Sequence, residues 1–206
     1  MAARELAQQL KTRFGDLVSE PAEFRGEITV QLYDPDCIAE ICHFAKKQLG
    51  FDFLVDVSSI DNCGSDPRFT VVYHLYGYGH HCPLRIKADV GEEKSELPTV
   101  TGVWKTADWH EREVYDMMGI RFRGHPDLRR ILMWDGYPYF PLRKDFPLSG
   151  KPSNVPEVAF TKTAPMEGGP FVTIAGGASS TAREPRVRGP ETGGQATVVA
   201  PMKESK

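Results

Sequence analysis

Beyond residue 148 the chain lacks the means to build a core. Residues 149–206 hold 15 Pro and Gly in 58 positions, no Trp or Tyr, and two Phe, Phe160 and Phe171. So little apolar surface does not offset the entropy of ordering a backbone, which costs about 1–2 kcal/mol per residue. An independent fold must therefore come from residues 1–148, where Pro and Gly take 20 of 148 positions. Acidic residues outnumber basic ones in this body, and the reverse holds in the tail. The tail admits two readings: a solvated segment that is disordered when free, or an extended arm that orders along a partner. Val155, Pro156–Phe160 and Gly169–Ile174 are the stretches apolar enough to anchor such an arm.

The body alternates between two periodicities. Leu6, Leu10 and Phe14 recur at helical spacing and predict a helix over 4–14. Residues 27–33 alternate as a strand. Asp34 followed by Pro35 is a favoured helix start, and Ile38, Ile41, Cys42, Ala45 and Leu49 then form one apolar face that Gly50 ends. Residues 51–58, 69–78 and 83–90 read as strands rich in Phe, Val, Leu and Tyr, with Gly77–His80 closing a hairpin between the last two. Asp108 with Glu111 three residues on resembles a capping box for a helix over 108–118, with Gly119 as its stop. Strands clustered after a helix and joined by short turns predict an α+β fold, a mixed sheet with helices on one face.

Several chemistries are excluded. A net charge of -3 is wrong for a globally basic nucleic-acid binder. No apolar run approaches the roughly 20 residues of a membrane span, and Met1–Leu10 has no signal-peptide apolar region. Cys37, Cys42, Cys63 and Cys82 contain no C-x-x-C pair, which suits a reducing, cytoplasmic-type compartment. Cys37 and Cys42 begin like a ferredoxin spacing, but the rest of that motif is missing. His80, His81 and Cys82 look like a metal corner; the strand 69–78, at about 3.3 Å per residue, holds Cys63 roughly 30 Å away. No dinucleotide fingerprint, P-loop or nucleophile elbow is present. His110, Glu111, Glu113 and Asp116 share a helix, and Arg112 four residues before Asp116 reads as its surface ion-pair partner.

One segment stands out. Residues 109–148 carry 7 basic and 6 acidic residues, six of the cations being Arg, among eight aromatic residues from Trp109 to Phe146. Arg with aromatics is the composition of a protein–protein interface core, and Arg grips carboxylates through two bonds at once. Chemistry alone leaves a second reading equally open, a loop whose charges satisfy one another within their own domain.

The order of residues goes further. Glu111-Arg112-Glu113 and Tyr115-Asp116, Gly119-Ile120, Gly124-His125-Pro126-Asp127-Leu128-Arg129-Arg130-Ile131-Leu132, and then Pro141-Leu142-Arg143-Lys144-Asp145-Phe146-Pro147-Leu148 with Gly150 resemble a known family. It is that of the C subunit, the thirty-kilodalton-type component, of respiratory complex I, the proton-pumping NADH:quinone oxidoreductase. Tyr139-Phe140 stand where members usually carry Gly-His, and the Pro/Gly-rich arm replaces the usual acidic tail. The resemblance implies a non-catalytic scaffold subunit of the hydrophilic arm, without flavin, iron–sulfur cluster or quinone of its own; FMN and the clusters sit in partner subunits. It implies docking to the D subunit near the B subunit, and a peripheral place on the cytoplasmic side of the cell inner membrane, reached only through the complex. On this likeness Glu111, Arg112, Glu113, Tyr115, Asp116, His125, Pro126, Arg129, Arg130, Arg143, Lys144 and Asp145 are the expected partner interface. The equivalent subunit of a related membrane-bound hydrogenase, or of a ferredoxin- or coenzyme-F-fed complex, is the alternative. A free-standing polyanion binder using Arg121, Arg123, Arg129 and Arg130 is opposed by the acidic body.

Overall fold

The computed structural model describes residues 3–134 and 136–147. Expectations for the arm, including its apolar anchors from Val155 to Ile174, lie outside these residues. The order is α1 (Ala3–Phe14), β1 (Ala22–Phe24), β2 (Glu27–Leu32), α2 (Ile38–Lys47), β3 (Phe53–Asp61), β4 (Phe69–Gly77), β5 (Cys82–Val90), β6 (Glu96–Pro98), α3 (Ala107–Met118) and β7 (Arg121–Arg123). Five strands form a mixed sheet in the order β1-β2-β5-β4-β3, with β2 parallel to β5 and the other pairs antiparallel. The short strands β6 and β7 pair parallel in a second sheet. The fold is α+β, as the pattern of elements predicts.

Alternation sets which way each strand faces. Ile28, Val30 and Leu32 of β2, Leu84, Ile86 and Ala88 of β5, and Val71, Tyr73 and Leu75 of β4 point inward. They join Leu6 and Leu10 of α1, Ile38, Ile41, Cys42 and Ala45 of α2, and Val114 of α3 in one core. Burying each of the larger of these side chains contributes about 1.5–3 kcal/mol. The residues between them, Thr29, Gln31, His74, Arg85, Lys87 and Asp89, are half-buried on the opposite face.

Asp34 accepts a hydrogen bond from the Asp36 N–H at 2.9 Å, as a cap does, but the turn over Pro35–Cys37 is 3-10 and α2 starts at Ile38. Cys37 consequently lies in that turn beside Asp34, half-buried against the core, whereas Cys42 is fully buried and its thiol is pushed up by that burial. The third strand begins and ends later than its sequence suggests, because Phe51 packs in the core before pairing begins. The β4–β5 hairpin closes at Gly77 and Cys82 as expected.

The start of α3 corrects the capping-box expectation. Thr106 occupies the cap position with no side-chain bond, and the Glu111 carboxylate turns away from the helix toward the preceding turn. There the buried Val100 N–H lacks a sheet or helix partner, and a buried donor must find an acceptor. At the other end Gly119 stops the helix as predicted, with φ 77° and its N–H on Tyr115 O at 2.9 Å.

Candidate functional site

The irregular stretch after β7 has few backbone partners of its own, so side chains must supply them. Most come from α3. Asp116 is fully buried. Its Oδ2 accepts the N–H groups of Ile131, Leu132 and Met133 at 3.0, 2.7 and 2.8 Å, and its Oδ1 meets Arg130 Nη1 at 2.6 Å. Arg130 also donates to Asp116 O at 3.0 Å and Tyr139 O at 3.1 Å, and its guanidinium lies over Tyr137 and Phe140. Arg112 donates to Arg129 O at 3.1 Å and Arg130 O at 3.2 Å while stacking on Trp109. Its expected surface pairing with Asp116 is therefore wrong: both are buried, and each is consumed by the strap that runs past the helix.

The strap continues through Arg143, whose Nε donates to Met118 O at 2.6 Å and whose guanidinium stacks between Phe69 and Phe140. Burial lowers the proton affinity of this group. Contact this close needs Gly119, since a Cβ there would lie 2.6 Å from Arg143 Nη2 and 2.7 Å from Phe140 Cε2. A second anchor comes from the far end of β3. Asp61 Oδ2 accepts the Lys144 N–H at 2.8 Å, and Arg68 grips Asp61 with two bonds while reaching Glu92 and, at 3.3 Å, Asp145. The bonds from Arg68 hold the Asp61 carboxyl below the usual carboxylate range.

Glu111 forms a separate buried cluster. Its Oε1 accepts the Val100 N–H at 2.7 Å and its Oε2 the Thr99 hydroxyl. Burial pushes its carboxyl up to about 7, against the lowering effect of those two bonds. His125 has a buried ring. Its Nδ1 accepts the Asp127 N–H at 3.0 Å, so the proton sits on Nε2, which faces Asp108 O and Asp108 Oδ1, each at 3.2 Å.

The twelve expected interface residues thus separate by physical role. Glu111, Arg112 and Asp116 are buried, the His125 ring is enclosed, and Arg130 and Arg143 are spent on internal carbonyls and rings. Each of these six has a partner within the chain. Tyr115 is half-buried. Glu113, Pro126, Arg129, Lys144 and Asp145 face outward, with Arg129 paired to Asp127 at 2.8 Å. Sequence reasoning missed Leu132 and Leu142, 56% and 58% exposed, and the anchors Asp61 and Arg68. The leucines carried a signal, being apolar residues flanked by charges in a segment without periodicity; Asp61 and Arg68 carried none that separates them from loop charges. No group of His, Cys, Asp or Glu among the described residues is arranged to hold a metal.

Residues 32–152 match the family model described as the respiratory-chain NADH dehydrogenase 30 kDa subunit. The C subunit of NADH-quinone oxidoreductase from Geotalea uraniireducens (strain Rf4) is 49% identical over 142 residues, covering 69% of this chain and 86% of that protein. The second C subunit of the same enzyme from Rhizobium etli (strain CIAT 652) is 50% identical over 140 residues, covering 67% and 74%. Among solved structures, a trypsin-resistant fragment of Nqo5 superposes with a TM-score of 0.52 at 33% identity, covering 62% of this chain and 100% of the fragment. A chain of an archaeal membrane-bound sulfane sulfur reductase shares the fold, with a TM-score of 0.61 at 21% identity over 69% of this chain and 84% of its own. The strap residues from Arg129 to Arg143 lie inside the matched range, and the chain belongs to the family of the 30 kDa subunit of respiratory-chain NADH dehydrogenase.

Proposed function

We propose that the chain is a scaffold subunit in the hydrophilic arm of NADH:quinone oxidoreductase, docking against the D subunit near the B subunit on the cytoplasmic side of the membrane. The complex passes electrons from NADH through FMN and iron–sulfur clusters to quinone, and this chain contributes no flavin, cluster or catalytic group to that path. One observation carries the reading. A strap without helix or strand, residues 129–147 apart from Asp135, is tied down by Asp116, Arg130, Arg143 and Arg68, and turns Arg129, Leu132, Leu142 and Lys144 outward. Fixing a loop in advance removes the ordering cost that binding otherwise carries, about 0.5–1.5 kcal/mol per immobilised side chain. Exposed leucines beside Arg are the composition of an interface core and rim.

The test is a pull-down of the tagged chain from detergent-solubilised membranes. Co-purification of the D- and B-type subunits, with flavin and iron in the complex and none in the isolated chain, is the expected result. A free chain, or a purified chain with a stoichiometric visible chromophore, overturns it. The fold likeness to a chain of the sulfane sulfur reductase favours one second reading, the same subunit in a related membrane complex with a different electron donor. The co-purifying donor subunits decide between the two.

A further inference from the structure

A cleft of about 500 Å³ opens at the start of α3. Thr101 and Gly102 before the helix, Asp108 and Trp109 on it, and Gly124 and Pro126 after β7 line it. Trp109 is 60% exposed, whereas Trp104 is buried. An indole left in water forgoes a large burial. This one is nevertheless held in position: Arg112, anchored on Arg129 O and Arg130 O, stacks on the ring at 5.2 Å from its centroid. Beside it, the Asp108 carboxylate has no cation. Its Oδ1 is buried without a hydrogen-bond partner, a rare state for a buried acceptor. His125 has one proton on Nε2 and gives it to Asp108 O at 3.2 Å. Among the described residues no Lys or Arg lies within ion-pair distance of Asp108. The side chain is 37% exposed while Oδ1 is enclosed, so the other oxygen is the one the cleft reaches.

We propose that this cleft receives an arginine side chain from another subunit, its guanidinium stacked on Trp109 and hydrogen-bonded to the Asp108 carboxylate. A carboxylate and an exposed aromatic ring side by side attract the same group, a cation, and Trp is the strongest ring for it. Arg suits the pair better than Lys, because its plane stacks while its N–H fork meets the carboxylate. An anion is opposed by Asp108, and the first N–H groups of α3, those of Ala107 and Asp108, already donate to Trp104 O and Lys105 O at 3.2 and 3.3 Å. Lys105 also borders the cleft, but it is exposed, and its flexible stem lets the ammonium swing into water. The site rests on the proposed function, since that assembly supplies the arginine. Arg112 joins the two, being bonded to Arg129 O at the start of the strap while it holds Trp109.

The experiment is photo-cross-linking from the rim of the cleft, with Lys105 replaced by p-benzoylphenylalanine. The complex is purified from membranes through a tag on another subunit, irradiated, and its cross-linked peptides sequenced by mass spectrometry. The expected product is one peptide of another subunit, with an Arg within about two residues of the attachment point. Asp108→Asn, which keeps the shape and removes the charge, lowers the yield of that product at least about tenfold. Trp109→Ala, at an exposed position whose truncation removes little buried surface, lowers it as well. A yield unchanged by either substitution overturns the site. So does a cross-linked peptide without a nearby Arg, or one from a second copy of this chain or from its own residues after 147. A chain present in the complex without any cross-link overturns the site alone, whereas absence of the chain from the tagged complex overturns the proposed function and this site with it.

Discussion

Arg130 Nη1 lies 2.6 Å from Asp116 Oδ1, and the other oxygen of the same carboxylate holds three consecutive backbone N–H groups, those of Ile131, Leu132 and Met133. One buried charge thereby fixes a loop that has no secondary structure of its own. Asp116→Asn keeps one acceptor but turns an amide donor toward either the guanidinium or the three N–H groups. Breaking a buried pair from one side costs about 3–5 kcal/mol, because the remaining charge is left uncompensated. The expected outcome is an unfolding free energy from urea titration lowered by that amount, with trypsin cutting first at Arg129 or Arg130. An unchanged midpoint would show that the pair is not what holds the strap.

Gly119 combines a left-handed backbone with a close approach. At φ 77° an alanine costs about 1–2 kcal/mol from the backbone alone. Its Cβ would also displace Phe140 or Arg143, each under 3 Å away. Gly119→Ala should therefore lower Tm and free the 140–147 strap, read as faster tryptic cleavage at Arg143 and Lys144. If Tm falls while those cleavage rates stay at the level of the parent chain, the close approach is not holding the strap.

Alternation and helical stripes made most of this fold legible, because burial on one face imposes a period that a reader can count. Ile28, Val30 and Leu32 gave β2, and Ile38 to Ala45 gave α2. The three-residue strands β1, β6 and β7 were not legible, since three positions are too few to display a period. Gly119 was found because its conformation is encoded in its residue type. The site was legible as composition and as residue order, but not as geometry. An Arg that turns outward and an Arg that reaches Tyr139 O look alike in sequence, and what separates Arg129 from Arg130 is the direction each takes from an aperiodic backbone. Likewise Glu111 carried a helix-start pattern, but the nearby Val100 N–H competed for the carboxylate and took it.

Glu111 makes stability depend on pH in an unusual direction for a carboxylate. Its ordinary value is 4.5 and burial raises it to about 7 in the folded chain. Folding therefore favours the protonated form. Its contribution is full below pH 4.5 and is lost as pH rises through about 7, by on the order of 3 kcal/mol. Asp61 acts oppositely in a lower window: its lowered value adds stability above its ordinary 3.8 that disappears as pH falls further. Glu111→Gln, which keeps an acceptor for Val100, should flatten the urea midpoint between pH 5 and 8 and leave the acid limb intact. A variant with the same slope as the parent chain would show that Glu111 is not the titrating group.

Arg129 and Arg143 look equivalent in sequence and should behave differently when truncated. Arg129 is exposed, and among the described residues its guanidinium pairs with the exposed Asp127, worth about 0–1 kcal/mol. Arg129→Ala should leave the isolated chain as stable as before and lower its yield in the pull-down, because an exposed Arg beside Leu132 is placed to meet a partner. Arg143 is half-buried between Phe69 and Phe140 with its Nε on Met118 O. Arg143→Ala should destabilise the isolated chain by about 1–3 kcal/mol from the lost charged hydrogen bond alone, and reduce assembly through that loss. Arg143→Lys, which restores charge but neither the stacking plane nor the Nε–H, should rescue little of it. Melting temperature of the free chain and recovered yield of the complex, measured on the same three variants, separate the two roles. If Arg129→Ala lowers the melting temperature as much as Arg143→Ala does, the division between an outward contact and an inward tether is wrong.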